Sequence, residues 1–368
     1  MNIIQFLPSL DDGGAETLVK DYALKLKDRG ENVVVVTVYN YTVSSNYKIL
    51  KDAGINVCPL FENYNLLTRV FVKGFGKWAI SLRLKWLLKK INPDVIHIHL
   101  ELLQIIEKVI CDFPNVKLCF TCHSKPSIKF SPKFPGELDA AKRLCKSHNL
   151  QVIALHDEMR MELNTMLGVK NVKVLHNCVP ISRFSKNNHS KKVIRSKLGI
   201  SDEQILIGHV GRFSKVKNHD FLVDVIYVAI QKKSNIHLLL VGNGSELPSI
   251  KEKVEKLGIT DKVTFLSHRT DVPDLMKAMD VFVFPSLFEG FPVTLIEIQA
   301  VGLPCVASDK VTKEAFVSKN IYSMSIDQTA ESWADKVLEI VGDFFYDSKI
   351  EAFDIDHIIE ELINLYGS

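Results

Sequence analysis

The stretch Val281–Asp309, VFVFPSLFEGFPVTLIEIQAVGLPCVASD, decides how the rest of the chain is read. The apolar run Val281–Phe284 has the length of a buried strand and is bounded by Pro285 and Ser286. A loop carrying Glu289 and Gly290 follows. Pro292 stands where a helix would begin, and Gly302 with Pro304 where it would stop. A second apolar run, Pro304–Ala307, resumes a sheet. The pattern is strand, loop, helix, strand, with one carboxylate (Glu289) in the loop and a second (Glu297) early in the helix. The free N–H groups expected at Val293, Thr294 and Leu295 make an anion site. An anion site flanked by two acids suits a ligand with both phosphates and hydroxyls, and a nucleotide-sugar has both. The plain alternative is a solvated loop acid and a surface helix acid.

Working outward, alternation of strands and helices runs through the whole chain. Strands are expected at Asn2–Leu7, Val33–Val38, Asp94–His99, Lys117–Cys122, Gln151–Leu155 and Val172–Leu175. A second series follows at Ile205–Val210, Ile236–Val241, Val263–Leu266, Val281–Phe284 and Pro304–Ala307. Continuous β-branched runs such as Val33–Val38 suit parallel strands covered on both faces, and the alternation implies doubly wound parallel sheets. Between the series, residues 177–204 are polar, basic and rich in turn formers, which marks a boundary. With 368 residues, two domains are expected.

Composition narrows the class. Hydrophobic residues make up 46% and charged residues 24%, as in a soluble globular protein, and a net charge of +3 gives no reason to expect nucleic acid. The start, MNIIQFLPSLDDGG, lacks the basic and apolar regions of a signal peptide, and no apolar run approaches membrane-spanning length. Seven scattered cysteines suggest reduced thiols and a cytoplasmic location.

Several strand ends carry chemistry. Gly13 and Gly14 follow the first strand, where a tight turn or a close approach to ligand are both open readings. Gly211 opens the turn GRFSKVKNHD after Ile205–Val210, and Arg212 and Lys217 can converge on a diphosphate. His123 sits just past a strand's carboxyl end, where open α/β sheets bind ligands; the alternative is a satisfied structural histidine. His97 and His99 share a strand face and are read as a polar pair rather than metal ligands. Cys119-Phe-Thr-Cys122-His123 has haem-attachment spacing, which is rejected because it falls in a buried strand with no export signal. No metal site is expected. Leu66–Ile91 contains Arg69, Lys73, Lys77, Arg83, Lys85, Lys89 and Lys90 among aromatic and aliphatic residues, with no acid. It reads either as a surface for anionic membrane or as the basic outer face of a packed helix.

These motifs together resemble the retaining glycosyltransferases of GT-B architecture that build bacterial capsules, exopolysaccharides and related glycans, marked by two glutamates separated by seven residues. The resemblance rests on GGAE, His123, GRFSKVKN, VGNG (residues 241–244) and the Glu289–Glu297 segment, in that order over nearly the whole chain. It implies two Rossmann-like domains facing across a cleft: residues 1–178 for the acceptor, 179–351 for the nucleotide-sugar, and 352–368 packing back on the first. It implies that Arg212 and Lys217 hold the donor diphosphate and Glu289 a sugar hydroxyl. Glu297 would bind the ribose, His123 the donor sugar, and Gly14 and Gly242 would lie near the donor. Arg269 would stand beside the base, although Ser267 replaces the glycine that relatives commonly carry there. The donor would be UDP-linked and the acceptor a saccharide, often lipid-linked at the inner face of the membrane, with no cofactor or metal. Two rival readings keep the same shape: a nucleotide-sugar epimerase, and a non-catalytic partner subunit. The second would be expected to have lost some of Arg212, Lys217, Glu289 and Glu297.

Overall fold

The computed structural model describes every residue except 12, 41–43, 62–75, 186–188, 268 and 368, and only the backbone of residues 76 and 77. The chain divides into two compact units, one made of Met1–Asn177 with Ile355–Ser368 and the other of Cys178–Asp354.

The first unit is built on a seven-stranded sheet in the order β3-β2-β1-β4-β5-β6-β7. Its strands are β1 (Asn2–Leu7), β2 (Asn32–Tyr39), β3 (Asn56–Phe61), β4 (Val95–His99), β5 (Lys117–Thr121), β6 (Gln151–Ala154) and β7 (Lys173–Val174). All pairings are parallel, with Ile4 opposite Val34 on one side and Ile96 on the other. The valines of β2 are buried, as strands covered on both faces require. The helix Ile355–Gly367 completes the unit. It buries Ile355, Ile358, Ile359, Leu362 and Tyr366 along one stripe, at the three-and-four spacing of an amphipathic helix. Its outer edge is tied by Lys25 to Asp356 at 2.8 Å and by Arg29 to Glu360, both partners on the helix Gly14–Asp28 side.

The second unit holds a six-stranded parallel sheet in the order β10-β9-β8-β11-β12-β13. Its strands are β8 (Ile205–Val210), β9 (Ile236–Val241), β10 (Val263–Leu266), β11 (Val281–Phe284), β12 (Cys305–Ser308) and β13 (Ile321–Met324). The chain enters and leaves this unit side by side, where Val179 N–H donates to the Phe353 carbonyl at 3.1 Å and Val179 bridges Asp354.

The fold class is therefore α/β with two Rossmann-like units, as expected. Two strands were absent from the sequence reading, β3 and β13, and both are sheet edges. β3 contains Pro59, and β13 is only partly buried; an edge strand tolerates proline and needs no continuous apolar run.

Candidate active site

In each sheet the order reverses beside the first strand of the unit, between β1 and β4 and between β8 and β11. Loops from the carboxyl ends of such a strand pair diverge and leave a crevice, the usual ligand position in an open α/β sheet.

In the second unit β8 runs into Gly211 and Arg212, then a short 3-10 turn at Lys215–Lys217. Asn218 next adopts a left-handed conformation (φ 56°), which an asparagine tolerates better than most residues, and its side-chain amide donates to the Pro285 carbonyl at 3.2 Å. Leu287 N–H donates to the Val216 carbonyl at 2.8 Å. These bonds stitch the loop after β8 to the loop after β11, and so bring two predicted residues together: Lys217 Nζ lies 2.6 Å from Glu289 Oε1, both largely buried. The same ammonium sits 4.9 Å above the Phe284 ring. Arg212 is exposed at the start of the loop.

The helix after Glu289 spans Val293–Val301 with Pro292 as its N-cap. Three free N–H groups were expected there, but Leu295 N–H already donates to the Pro292 carbonyl at 3.0 Å, tightening the first turn. Val293 and Thr294 remain as the first-turn donors that the start of a helix leaves without an intrahelical acceptor. Glu297 lies one turn further along, partly exposed.

The glycines have a role the sequence did not disclose. Gly242 has φ +146°, and a Cβ there would stand 2.1 Å from the Gly211 carbonyl oxygen. One added at Gly244 would meet the Phe213 carbonyl at 2.2 Å. The loop after β9 thus presses directly against the GRF turn, with Phe213 N–H bonded to the Asn243 carbonyl at 2.9 Å. These glycines shape the turn that carries Arg212 and Lys217. Gly14, by contrast, is the first residue of its helix and has open space around it. Arg269 follows the edge strand β10 and is exposed, held by Asp271 through two bonds of 2.7 and 2.6 Å. It is not gathered with Lys217 and Glu289.

Two histidines missed by the sequence reading underlie this loop. His219 stacks on Phe213 at 4.1 Å, and His209 meets it edge-on at 4.7 Å. Burial, and then Lys217, lowers the His219 pKa to about 4; burial, and then His219, holds His209 well below the usual imidazole value. Both are neutral rings. Among the described residues neither ring nitrogen of His219 has a partner, nor does the Ser286 hydroxyl just past β11. The KNH triplet, following a strand and glycine, was the available signal.

In the first unit His123 follows β5, and its Nε2 lies 2.9 Å from His99 Nδ1. His97 and His99 are fully buried with ring centroids 4.1 Å apart. Burial lowers His97 to about 3 and His123 to about 4, with His99 well below the usual value. Cys119 and Cys122 are buried, their thiols pushed up to about 12 by burial. Among the described residues no group of three His, Cys, Asp or Glu is placed to hold a metal ion.

Of the basic segment, residues 66–75 lie outside the described residues, as does the side chain of Lys77. The helix Gly76–Ile91 exposes Trp78, Leu82 and Trp86, which share one face at four-residue spacing. Arg83 is otherwise engaged, donating to the Leu60 carbonyl at 2.5 Å and lying over Phe61, and Lys85 pairs with Asp112. Lys90 sits 5.5 Å from the Trp86 ring. No described helix is long and apolar enough to cross a membrane.

Comparison with known proteins gives these features a family. Residues 190–345 match the family model "Glycosyl transferases group 1", and residues 12–183 match "Glycosyltransferase Family 4". The chain is 24% identical to the putative glycosyltransferase EpsF of Bacillus subtilis, over 99% of this chain and 96% of the relative. It is 26% identical to the UDP-Gal:alpha-D-GlcNAc-diphosphoundecaprenol alpha-1,3-galactosyltransferase of Escherichia coli, over 76% of each. Among solved structures, Anabaena HepE in complex with UDP-glucose superposes with a TM-score of 0.80 at 19% identity, over 99% of each chain, a likeness of fold. With both halves matched by glycosyltransferase models in this order and two doubly wound units to carry them, the chain belongs to the glycosyltransferases of GT-B fold.

Proposed function

We propose that this protein is a retaining glycosyltransferase that moves a hexose from a UDP-linked donor to a saccharide acceptor, lipid-linked, in capsular or extracellular polysaccharide synthesis. The observation that carries the reading is the Lys217–Glu289 contact at the β8/β11 switch point, beside Arg212 and the helix start at Val293 and Thr294. Cations and N–H groups suit a diphosphate, and a carboxylate suits sugar hydroxyls. As the C1–O bond to the leaving phosphate breaks, Arg212, Lys217 and the two N–H groups stabilise the growing charge without a metal. Glu289 then orients the sugar ring, and Glu297 takes the ribose. The new bond forms on the same face, and the departing phosphate oxygen accepts the acceptor's proton, as the resemblance implies. The choice of UDP and a lipid-linked acceptor draws on relatives, the Escherichia coli enzyme by its name and HepE by its bound UDP-glucose. The exposed Trp78, Leu82 and Trp86 face would rest on the membrane carrying that acceptor.

The deciding experiment incubates the protein with each nucleotide-sugar and a bacterial lipid extract, following nucleotide release and sugar transfer. Transfer with the anomeric configuration kept supports the reading. Isomerisation of the donor without acceptor would make it an epimerase, and binding without turnover a non-catalytic subunit.

A further inference from the structure

Six side chains from four separate parts of the first unit form one unbroken hydrogen-bonded chain. Thr121 Oγ1 lies 2.7 Å from His97 Nε2, and His97 Nδ1 lies 2.7 Å from the Tyr366 hydroxyl. The side-chain amide of Gln5 donates to that hydroxyl at 3.0 Å, and the Gln5 carbonyl lies 2.8 Å from His99 Nε2. His99 Nδ1 then meets His123 Nε2 at 2.9 Å. Every member but His123 is buried. The links cross β1, β4, β5 and the helix Ile355–Gly367, and they end at His123, just past the carboxyl end of β5 and next to β4.

A neutral imidazole has one donor and one acceptor, so each link dictates the next. The Gln5 carbonyl only accepts, so the His99 proton sits on Nε2 and its Nδ1 is a lone pair. That lone pair needs a donor, which must be His123 Nε2–H. Nδ1 of His123 is then unprotonated, and it has no protein partner among the described residues. At the other end the Tyr366 hydroxyl accepts from Gln5 and donates to His97 Nδ1, and His97 Nε2–H donates to Thr121. Each of the five contacts then pairs one donor with one acceptor. Reversing the Gln5 amide would invert the sequence through His99 and place the His123 proton on Nδ1.

We propose that Gln5 and Tyr366 are positioning residues that fix His123 as the Nε2–H tautomer, so that its Nδ1 lone pair accepts a hydrogen bond from a hydroxyl of the bound sugar. The last clause rests on the glycosyltransferase reading; the tautomer does not.

The test is a long-range proton–nitrogen correlation spectrum of the histidine rings in the full-length protein near neutrality, where all three rings are uncharged, with donor turnover measured alongside. The expected wild-type spectrum shows His99 and His123 each as a single Nε2–H tautomer. Tyr366→Phe keeps the ring and removes the hydroxyl, and Gln5→Met keeps the length and removes the amide. Both variants should give His123 as a tautomer mixture, and should lower kcat about tenfold while KM for the donor stays within about twofold. A wild-type His123 protonated on Nδ1 overturns the proposal, as does a single unchanged tautomer in folded variants. If a variant does not fold, the wild-type spectrum still decides. A wild-type protein that releases no nucleotide from any donor refutes the glycosyltransferase reading and leaves the tautomer result standing.

Discussion

The Lys217 ammonium and the Glu289 carboxylate, 72 residues apart in the chain, meet at 2.6 Å in the second unit. Each therefore holds the other where a ligand would find it. Lys217 has three protons to give, so it can reach a diphosphate without releasing Glu289.

Lys217→Ala leaves the largely buried Glu289 carboxylate uncompensated and, on the proposed reading, removes a diphosphate partner. The expected loss in kcat/KM is roughly 2–5 kcal/mol of transition-state binding, with Arg212→Ala in the same range. Because Lys217 and Glu289 touch, the double variant with Glu289→Ala should lose less than the sum of the two single losses. Unchanged turnover in both Lys217→Ala and Arg212→Ala would remove these residues from the site.

If Arg212, Lys217 and the N–H groups of Val293 and Thr294 neutralise the leaving group as proposed, activity should persist in excess chelator. Loss of turnover in EDTA, restored by magnesium or manganese, would contradict this account of the leaving group.

Gly242→Ala forces a Cβ to within 2.1 Å of the Gly211 carbonyl at a φ of +146°. A destabilisation of at least about 2 kcal/mol is expected in urea unfolding, together with weakened donor binding as the GRF turn moves. Gly14→Ala meets open space at a helix start and should leave stability unchanged or raised by about 0.5 kcal/mol. If Gly14→Ala nevertheless impairs turnover, the backbone there touches a ligand.

Acid should destabilise both units. His123 and His219 fall to about 4 in the folded chain against an ordinary 6.5, and His97 to about 3. The unfolded chain therefore binds more protons below pH 6.5, and stability rises with pH through this window. Thermal midpoints should drop steadily from 6.5 towards 4 and level off above 6.5 as far as these groups are concerned. A flat profile across that range would mean that these rings are not buried as described.

Membrane contact is testable on the helix Gly76–Ile91. Changing Trp78 and Trp86 to Gln should reduce sedimentation with anionic vesicles, and added salt should weaken whatever Lys89 and Lys90 contribute. Nucleotide affinity in the second unit should be unaffected. Equal binding of wild type and variant to anionic and neutral vesicles would leave this face a solvated one.

How much of this was legible in the sequence varied with the physics of each feature. The valine run of β2 announced itself because a strand covered on both faces must be continuously apolar. Edge strands β3 and β13 face that demand on one side at most, and so carried no comparable pattern. Lys217 and Glu289 were each readable from residue type and position after a strand, but their contact depends on β8 lying beside β11, which no local pattern encodes. Gln5 looked like one polar interruption in an apolar strand; its partner Tyr366 is 361 residues away. Leu295 shows the limit of a rule of thumb, since one tightened turn takes up a donor that helix geometry alone would leave free.

The helix Ile355–Gly367 belongs to the first unit but follows the whole of the second in the chain. On a ribosome adding roughly 5–20 residues per second, β1 to β7 must wait on the order of ten seconds or more before that helix emerges. Throughout that interval the face that Ile358, Ile359 and Leu362 will cover is bare, and Gln5 and His97 lack the hydroxyl of Tyr366. The second unit has no such debt and can close as soon as it is made. Nascent chains of this protein therefore carry an unfinished sheet beside a finished one, and the sheet that bears His123 is the later of the two to mature.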